Sequence, residues 1–265
     1  MSVTILRYYP FSFNAPLARP GLARLIPLIY ISIMPARNRT KIYSENSYYH
    51  IYNRGVEKRL IFLDQQDYAV FLHYLKEYLL PKNEKDLREQ LSNPNTSYKE
   101  KDKIIKLLRL NNFADEITLL AYCLMPNHFH FFIKQTSSQS IDKFMNSLCT
   151  RYTMYFNRKH KRVGSLYQGV YKAVSINQEN QFIYLSKYIH KQSKLHSTNL
   201  QGQALRGWEQ PSSYPEYLGK RKAEWIHPEE ILDHFSKTNP NLTYKAFVEE
   251  KDDFSIIQNK TLEEE

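Results

Sequence analysis

The chain is poor in glycine and cysteine, with 7 glycines and 2 cysteines among its 265 residues. So few glycines disfavour the Gly-rich loops with which dinucleotide-dependent enzymes hold phosphates. Two cysteines cannot build a disulfide framework, and neither belongs to a Cys-x-x-Cys pair of the kind that binds metal. A reducing, cytoplasmic location is therefore expected.

Long apolar runs are also missing, since no stretch approaches the roughly 20 apolar residues that span a bilayer. The most apolar N-terminal segment, residues 22–34, is short and is interrupted by Pro27. It lacks the small-residue cleavage site that follows a secretory signal. Residues 1–40 are therefore predicted to be a leader or an N-terminal extension from a misassigned start, and no membrane contact is expected.

Positive charge is in excess and is unevenly distributed, with 37 Lys and Arg against 27 Asp and Glu. Residues 137–194 carry ten basic and two acidic side chains, whereas residues 195–265 carry eight basic and thirteen acidic ones. Basic segments interleaved with aromatic rings are typical of surfaces that bind single-stranded nucleic acids. A solvated helix face carries the same pattern, so charge alone leaves both interpretations open.

The apolar periodicity predicts the element order β-α-β-β-α-β followed by one more helix. Asp64 is a candidate cap for a first helix that ends before Pro81, and Ser140 is a candidate cap for a second helix. The predicted strands span residues 48–53, 117–125, 128–134 and 171–176. This order predicts an α+β fold of the ferredoxin-like type, an antiparallel sheet with helices packed on one face plus a final helix that starts near Asn177.

The same pattern predicts a compact domain with two additions. The domain covers residues 41–195 and contains a highly charged insertion at 82–115, with a short helix near residues 103–110. Residues 196–265 are predicted to be a C-terminal extension, partly irregular because it contains several prolines, with a short helix at 228–235.

His128 and His130 form the sharpest chemical signal, because both lie in one predicted strand. Side chains alternate between the faces of a strand, so the two imidazoles share one face while Phe129 and Phe131 point to the other. Their spacing of about 6 to 7 Å along the strand allows both to bind one divalent ion. The chain has nine histidines, so a His-x-His pair also arises by chance and a structural role stays open.

Tyr188 and Gln192 lie four residues apart on the predicted final helix and therefore share a helix face, whereas His190 points away. If this helix covers the histidine face, a phenol and an amide oxygen meet the bound cation. A cation there would polarise a phosphodiester while the phenolate attacks phosphorus. With 21 tyrosines in the chain, a packing role for Tyr188 is the alternative.

Five short motifs occur in order along the chain: YYHIYNRG at 48–55, MPNHFH at 125–130, RVGSLYQG at 162–169, YIHKQ at 188–192 and SSY at 212–214. Together, from about residue 41 to 218, they resemble the single-tyrosine HUH transposases of the IS200-like type, in the branch of REP-associated tyrosine transposases.

This resemblance implies a nickase and strand transferase, acting as a monomer or homodimer. It implies that Tyr188 attacks single-stranded or hairpin DNA and keeps a 5′-phosphotyrosine link. One Mg or Mn ion would be held by His128 and His130, with Gln192 as the third ligand.

The chain departs from the pattern of that branch at three places. Gln192 and Ser193 stand where the branch usually has Asn-Pro, and glutamine still offers an oxygen ligand. Tyr167 stands in place of a tryptophan, and Val170 in place of an arginine. Loss of this arginine removes a phosphate contact, which puts DNA affinity rather than the chemistry in question.

Seven basic residues in or near these motifs are predicted to contact phosphates. They are Arg54, Arg151, Arg158, Arg162, Lys172, Lys187 and Lys191.

Two other functions fit parts of the pattern. A non-catalytic protein that binds single-stranded nucleic acid can use a ferredoxin-like sheet, but its ribonucleoprotein signature is missing here. An amidohydrolase also begins from His-x-His on a strand, but it needs a βα barrel whose repeated alternation is absent from this chain.

Overall fold

The computed structural model describes residues 43–195 and 210–250. The predicted leader at 1–40 therefore lies outside the described residues. Four strands form one sheet: β1 (Ser47–Arg54), β2 (Ile117–Met125), β3 (His128–Gln135) and β4 (Lys172–Ile176). Eight helices accompany it: α1 (Gln65–Leu79), α2 (Glu84–Ser92), α3 (Tyr98–Arg109), α4 (Ser140–Lys159), α5 (Glu179–Leu195), α6 (Tyr214–Tyr217), α7 (Glu229–Leu232) and α8 (Tyr244–Glu249).

The sheet has the strand order β2-β3-β1-β4, and every neighbouring pair is antiparallel. The helix α1 precedes β2, and α4 connects β3 to β4 at the far side of β1. This is the split βαββαβ arrangement, in which the first strand lies between the third and the fourth. The predicted α+β, ferredoxin-like fold is therefore confirmed.

One face of the sheet packs against α1 and α4. Ile51, Phe129 and Phe131 from the strands form a buried core there with Phe71 of α1 and Tyr152 of α4. The start of α1 follows the prediction, because the Asp64 side chain accepts a hydrogen bond from the Asp67 amide at 3.0 Å. The helix ends at Leu79, two residues before Pro81, whose ring cannot continue a helix.

The opposite face is also apolar, and β2 contains a bulge between Leu119 and Ala121. Leu119 belongs to the core beneath α1 and α4, whereas Leu120 and Ala121 both belong to the core on the other face. A bulge shifts the alternation of side chains by one residue. Because both faces of β2 are buried in apolar cores, the strand is an unbroken apolar run rather than an alternating one.

The second face is covered by α5 and by the segment that follows residue 210. Leu185 and Ile189 of α5 pack there with Tyr214, Tyr244 and Val248 from that segment. The segment is also bonded to the sheet, since the Leu124 amide donates to the Pro211 carbonyl at 2.9 Å. The region predicted as a partly irregular extension therefore contributes a layer of the core, and its predicted helix at 228–235 is limited to α7.

The charged insertion contains two helices, α2 and α3, instead of the single short helix predicted at 103–110. Ser97 and Glu100 form a reciprocal capping box at the start of α3. Helix α2 has no fully buried residue, and its apolar stripe consists of only two half-buried residues, Leu87 and Leu91, which is a weak signal in a sequence. None of the helices in the described parts of the chain is long and apolar enough to cross a bilayer.

Phe71 tests the core between α1 and the sheet. Its side chain is 0% exposed, and its ring centroid lies 4.9 Å from that of Tyr152 and 5.7 Å from that of Phe129. We expect Phe71→Ala to lower the free energy of unfolding by about 3–5 kcal/mol, because it leaves a cavity in a dense core. Tyr98→Ala, at a residue 89% exposed, should change it by less than about 0.5 kcal/mol. Equal effects in urea denaturation would contradict this description of the core.

Candidate active site

The turn after β1 is bonded to the turn between β2 and β3. The Gly55 amide donates to the Asn127 carbonyl at 2.8 Å, and the Ile61 amide donates to the Pro126 carbonyl at 2.7 Å. A β-carbon at Gly55 would lie 2.2 Å from the Arg59 carbonyl oxygen, so only glycine fits this close approach. The YYHIYNRG and MPNHFH motifs therefore meet at one end of the sheet.

The RVGSLYQG loop joins them. The Val56 amide donates to the Leu166 carbonyl at 3.0 Å, and the Gln168 amide donates to the Arg54 carbonyl at 2.9 Å. The Arg54 guanidinium in turn donates through Nε to the Gln168 side-chain oxygen at 2.7 Å. These contacts fix Arg54 at the edge of the histidine face, and three motifs that are far apart in the chain line one end of the sheet.

The pairing register determines which side chains share the histidine face. Tyr52 lies opposite His130, and Arg54 lies opposite His128, in the pairing of β1 with β3. Lys172 lies opposite Tyr52 in the pairing of β1 with β4. Directly opposed residues of an antiparallel pair point to the same face, so two imidazoles, a phenol and two cationic side chains lie together.

His128 is held by its neighbour Asn127. The amide nitrogen Nδ2 of Asn127 donates to the Lys58 carbonyl at 3.3 Å, and its Oδ1 lies 2.6 Å from Nδ1 of His128. An amide oxygen only accepts, so Nδ1 of His128 carries the proton in this contact. The nitrogen through which a neutral His128 can bind a cation is therefore Nε2.

His130 is held by a third histidine, His50. Nδ1 of His130 lies 2.9 Å from Nε2 of His50, and both side chains are 0% exposed. The ring centroids of His128 and His130 are 4.9 Å apart. Sequence reasoning did not identify His50 as a site residue. Its sequence signal is its place in the YYHIYNRG motif, two residues before Tyr52 and therefore on the same face of β1.

Helix α5 brings Tyr188 onto this histidine face. Its ring centroid lies 5.4 Å from that of His130 and 6.1 Å from that of His50, both nearly perpendicular. Tyr188 is 1% exposed, and Gln192, one turn later, is 5% exposed. The residues predicted for the nucleophile and for one metal ligand are thus adjacent within one chain.

His190 points to the other side of α5, as predicted. Its Nδ1 lies 2.6 Å from the Tyr244 hydroxyl, and its Nε2 lies 2.8 Å from the Ser213 hydroxyl. The Tyr244 hydroxyl also donates to Ser186 of α5 at 3.1 Å. This buried network, the His190 network, joins α5 to the segment after residue 210 and so fixes the helix that carries Tyr188.

Cys123 also lies on the histidine face, directly opposite His130. Burial raises the pKa of the Cys123 thiol, so the group stays protonated near neutral pH. A thiol, unlike a thiolate, is a poor nucleophile and a poor metal ligand. Cys123 is therefore a packing residue of this site.

The predicted phosphate contacts divide by location. Arg54 and Lys172 share the histidine face, and Nζ of Lys172 lies 6.0 Å from the centre of the Tyr52 ring. Arg158 is exposed in the last turn of α4. Arg162 donates to the Asn157 side-chain oxygen at 3.0 Å in the loop that follows.

The other three residues predicted to contact phosphates do not lie with Arg54 and Lys172. Arg151 forms an ion pair with Glu77 at 2.7 Å in the layer of α1 and α4. Lys187 is 1% exposed, with Nζ 4.7 Å from the centre of the Phe247 ring. Lys191 donates to the Glu250 carbonyl at 2.8 Å.

The donor atoms fit a divalent cation, although no group of three or more His, Cys, Asp or Glu side chains in the described part of the chain could hold one. Two imidazoles whose Nδ1 atoms are both engaged present Nε2 as the donor, the arrangement usual for metal-binding histidines. An amide oxygen from Gln192 would supply the third donor, and carbonyl oxygens suit Mg and Mn.

Part of the chain is similar to known proteins. Residues 88–192 match the family model described as Transposase IS200 like. The solved structure of a REP-associated tyrosine transposase bound to a REP hairpin is 10% identical, covering 72% of this chain and 96% of that chain, with a TM-score of 0.41. A structure from Deinococcus radiodurans R1, also described as a transposase, is 15% identical, covering 58% and 97%, with a TM-score of 0.25. No curated protein matches the chain.

The His190 network generates a stability prediction. We expect His190→Leu to lower the free energy of unfolding by about 2–4 kcal/mol, because it removes hydrogen bonds from buried hydroxyl groups and reshapes a dense core. His73→Leu removes a histidine whose side chain is 61% exposed on α1 and should change it by less than about 0.5 kcal/mol. Matched thermal and urea unfolding of the two variants measures the difference, and a His190→Leu protein as stable as His73→Leu would refute the network.

Proposed function

We propose that the protein is a DNA transposase that cuts and rejoins single-stranded or hairpin DNA with Tyr188 as its nucleophile, and the match of residues 88–192 to the model of IS200-like transposases supports this proposal. One observation carries the proposal: the Tyr188 ring lies 5.4 Å from that of His130, on a sheet face that also bears His128, Arg54 and Lys172. A phenol, two imidazoles and two cations are the groups that phosphodiester transfer requires.

Tyr188 would act by transesterification. Its phenolic oxygen forms a bond to phosphorus while the bond to the 3′ oxygen of the neighbouring nucleotide breaks. The phenol gives up its proton, and the departing 3′ oxygen takes up a proton to become the 3′ hydroxyl of one strand. The other strand stays attached to Tyr188 through its 5′ phosphate. Attack of another 3′ hydroxyl on that phosphotyrosine releases Tyr188 and joins the strands, so cutting and rejoining use the same groups.

His128, His130 and Gln192 are the residues that would hold one Mg or Mn ion, the histidines through Nε2. When bound, the ion supplies Lewis-acid polarisation of the phosphodiester oxygens. The protein's own contribution is to orient these donors. Asn127 sets the tautomer of His128, and Gln192 follows Tyr188 by one turn on α5.

The burial of Tyr188 bears on how DNA reaches it. The side chain is 1% exposed, so a phosphate reaches the phenol only when the DNA displaces part of the layer around α5. Outside that event the phenol is shielded from water. Since Tyr188 contacts the histidines of its own chain, we propose that one chain contains a complete site, which a monomer or each half of a homodimer could use.

Tyr188→Phe is the direct test of the nucleophile. The variant keeps the ring that packs on His130 but lacks the attacking oxygen, so covalent adducts should disappear while DNA binding survives. Labelled single-stranded hairpins from the flanks of the protein's own gene, incubated with Mg or Mn and separated on denaturing gels, measure the adduct. An adduct formed by Tyr188→Phe would refute the assignment.

The same experiment separates the two classes of function. A non-catalytic protein that binds single-stranded nucleic acid would retain the hairpin in native gels and form no adduct, even as wild type. Wild-type adducts formed with a divalent ion and lost with chelator favour the transposase.

Lys172 tests the proposed path of the DNA backbone. Lys172→Ala should weaken hairpin binding and reduce the slope of log affinity against log salt by about 0.7–1, since one phosphate contact is lost. Lys106→Ala is the matched control, because Lys106 is 74% exposed on α3, pairs with Asp102 and belongs to the charged insertion rather than to any of the five motifs. Equal salt slopes for the two variants would place the DNA elsewhere.

A further inference from the structure

The contact between His50 and His130 remains unexplained by the proposed chemistry. His50 lies in the middle of β1, and Nε2 of His50 is 2.9 Å from Nδ1 of His130. The two rings are nearly parallel, with an interplanar angle of 19°. Both side chains are 0% exposed, so burying two imidazoles has a cost that this hydrogen bond offsets.

We propose that His50 is a positioning residue that accepts a hydrogen bond from Nδ1 of His130 and thereby holds Nε2 of His130 toward the cation. The inference rests on the proposed function, because it takes His130 as a metal ligand. A neutral imidazole carries one proton. If His130 binds a cation through Nε2, its proton is on Nδ1, and the atom that faces Nδ1 is Nε2 of His50.

The direction of this hydrogen bond also defines the state of His50. Nε2 of His50 must offer its lone pair, so its own proton is on Nδ1. His50 thus takes the place that a carboxylate or a backbone carbonyl usually occupies behind a metal-binding histidine. Asn127 performs the equivalent role for His128 through its side-chain oxygen, 2.6 Å from Nδ1. Each of the two imidazoles therefore has its own acceptor.

The position of His50 gives it a second contact. Its ring centroid lies 6.1 Å from that of Tyr188, with the two planes at 78°. The Tyr188 ring thus lies nearly perpendicular to the rings of both His50 and His130. A single buried imidazole orients a proposed metal ligand and also contacts the proposed nucleophile.

Binding of Mn²⁺ alone, without DNA, tests the role apart from activity. Free Mn²⁺ has a strong paramagnetic resonance signal that weakens on binding, so titration yields a dissociation constant. His50→Phe keeps a planar ring without an acceptor and should weaken Mn²⁺ binding about 10–100-fold. His50→Gln retains an acceptor oxygen and should recover most of that loss. His73→Phe, at an exposed histidine of α1, should bind as wild type.

The reference variant His128→Ala separates the possible failures. If wild type binds no Mn²⁺, or His128→Ala binds it equally well, the metal site of the proposed function is wrong. If His128→Ala loses binding while folded His50→Phe binds Mn²⁺ as tightly as wild type, only the role of His50 is wrong. A uniform loss in His50→Phe and His50→Gln, with melting temperatures unchanged, also contradicts it, because the retained acceptor should matter.

If His50→Phe does not fold, a second measurement tests the direction of the hydrogen bond between His130 and His50. Nitrogen-15 spectra of the histidine rings in metal-free wild-type protein report which ring nitrogen carries the proton. The proposal requires the proton of His130 on Nδ1 and that of His50 on Nδ1. A proton on Nε2 of His130 would overturn it.

Discussion

The antiparallel pairing of β1 with β3 is the constraint on which the site depends. It places Tyr52 opposite His130 and Arg54 opposite His128. A slip of one residue would move every side chain of β1 to the other face of the sheet. Ile51 and Phe129, each 0% exposed beneath α1 and α4, oppose such a slip because it would expose polar groups to that core. Apolar packing on one face therefore holds the register of the polar face.

The face that carries the histidines is buried as well, whereas an antiparallel sheet commonly exposes one of its faces to solvent. Helix α5 and the segment after residue 210 cover it and form a second core around Phe132 and Ile189. In a buried environment, hydrogen bonds between polar groups are stronger than in water, and a buried polar group without a partner destabilises the fold. The pairing of His50 with His130 and the His190 network satisfy polar groups on the two sides of α5. The covering layer thus belongs to the architecture of the site and is not an appendage.

The success of sequence reasoning followed the strength of the local signals. Strands β2 and β3 and helix α1 were predicted nearly to the residue, because alternation, a capping Asp64 and a terminating Pro81 are local features. Helix α2 was not predicted because its apolar stripe consists of only two half-buried residues, Leu87 and Leu91. The bulge after Leu119 was also invisible, because a bulge in a strand that is apolar on both sides leaves no break in the pattern.

The periods of helices and strands are enough to predict the ferredoxin-like order of elements, the shared face of His128 and His130, and the shared helix face of Tyr188 and Gln192. The folded structure is needed to see that α5 covers the histidines and that His50 lies behind His130. It also shows that the other three predicted phosphate contacts, Arg151, Lys187 and Lys191, lie apart from them. Those facts depend on strand register and on the packing of segments distant in the chain, and no local spacing specifies which two distant side chains meet.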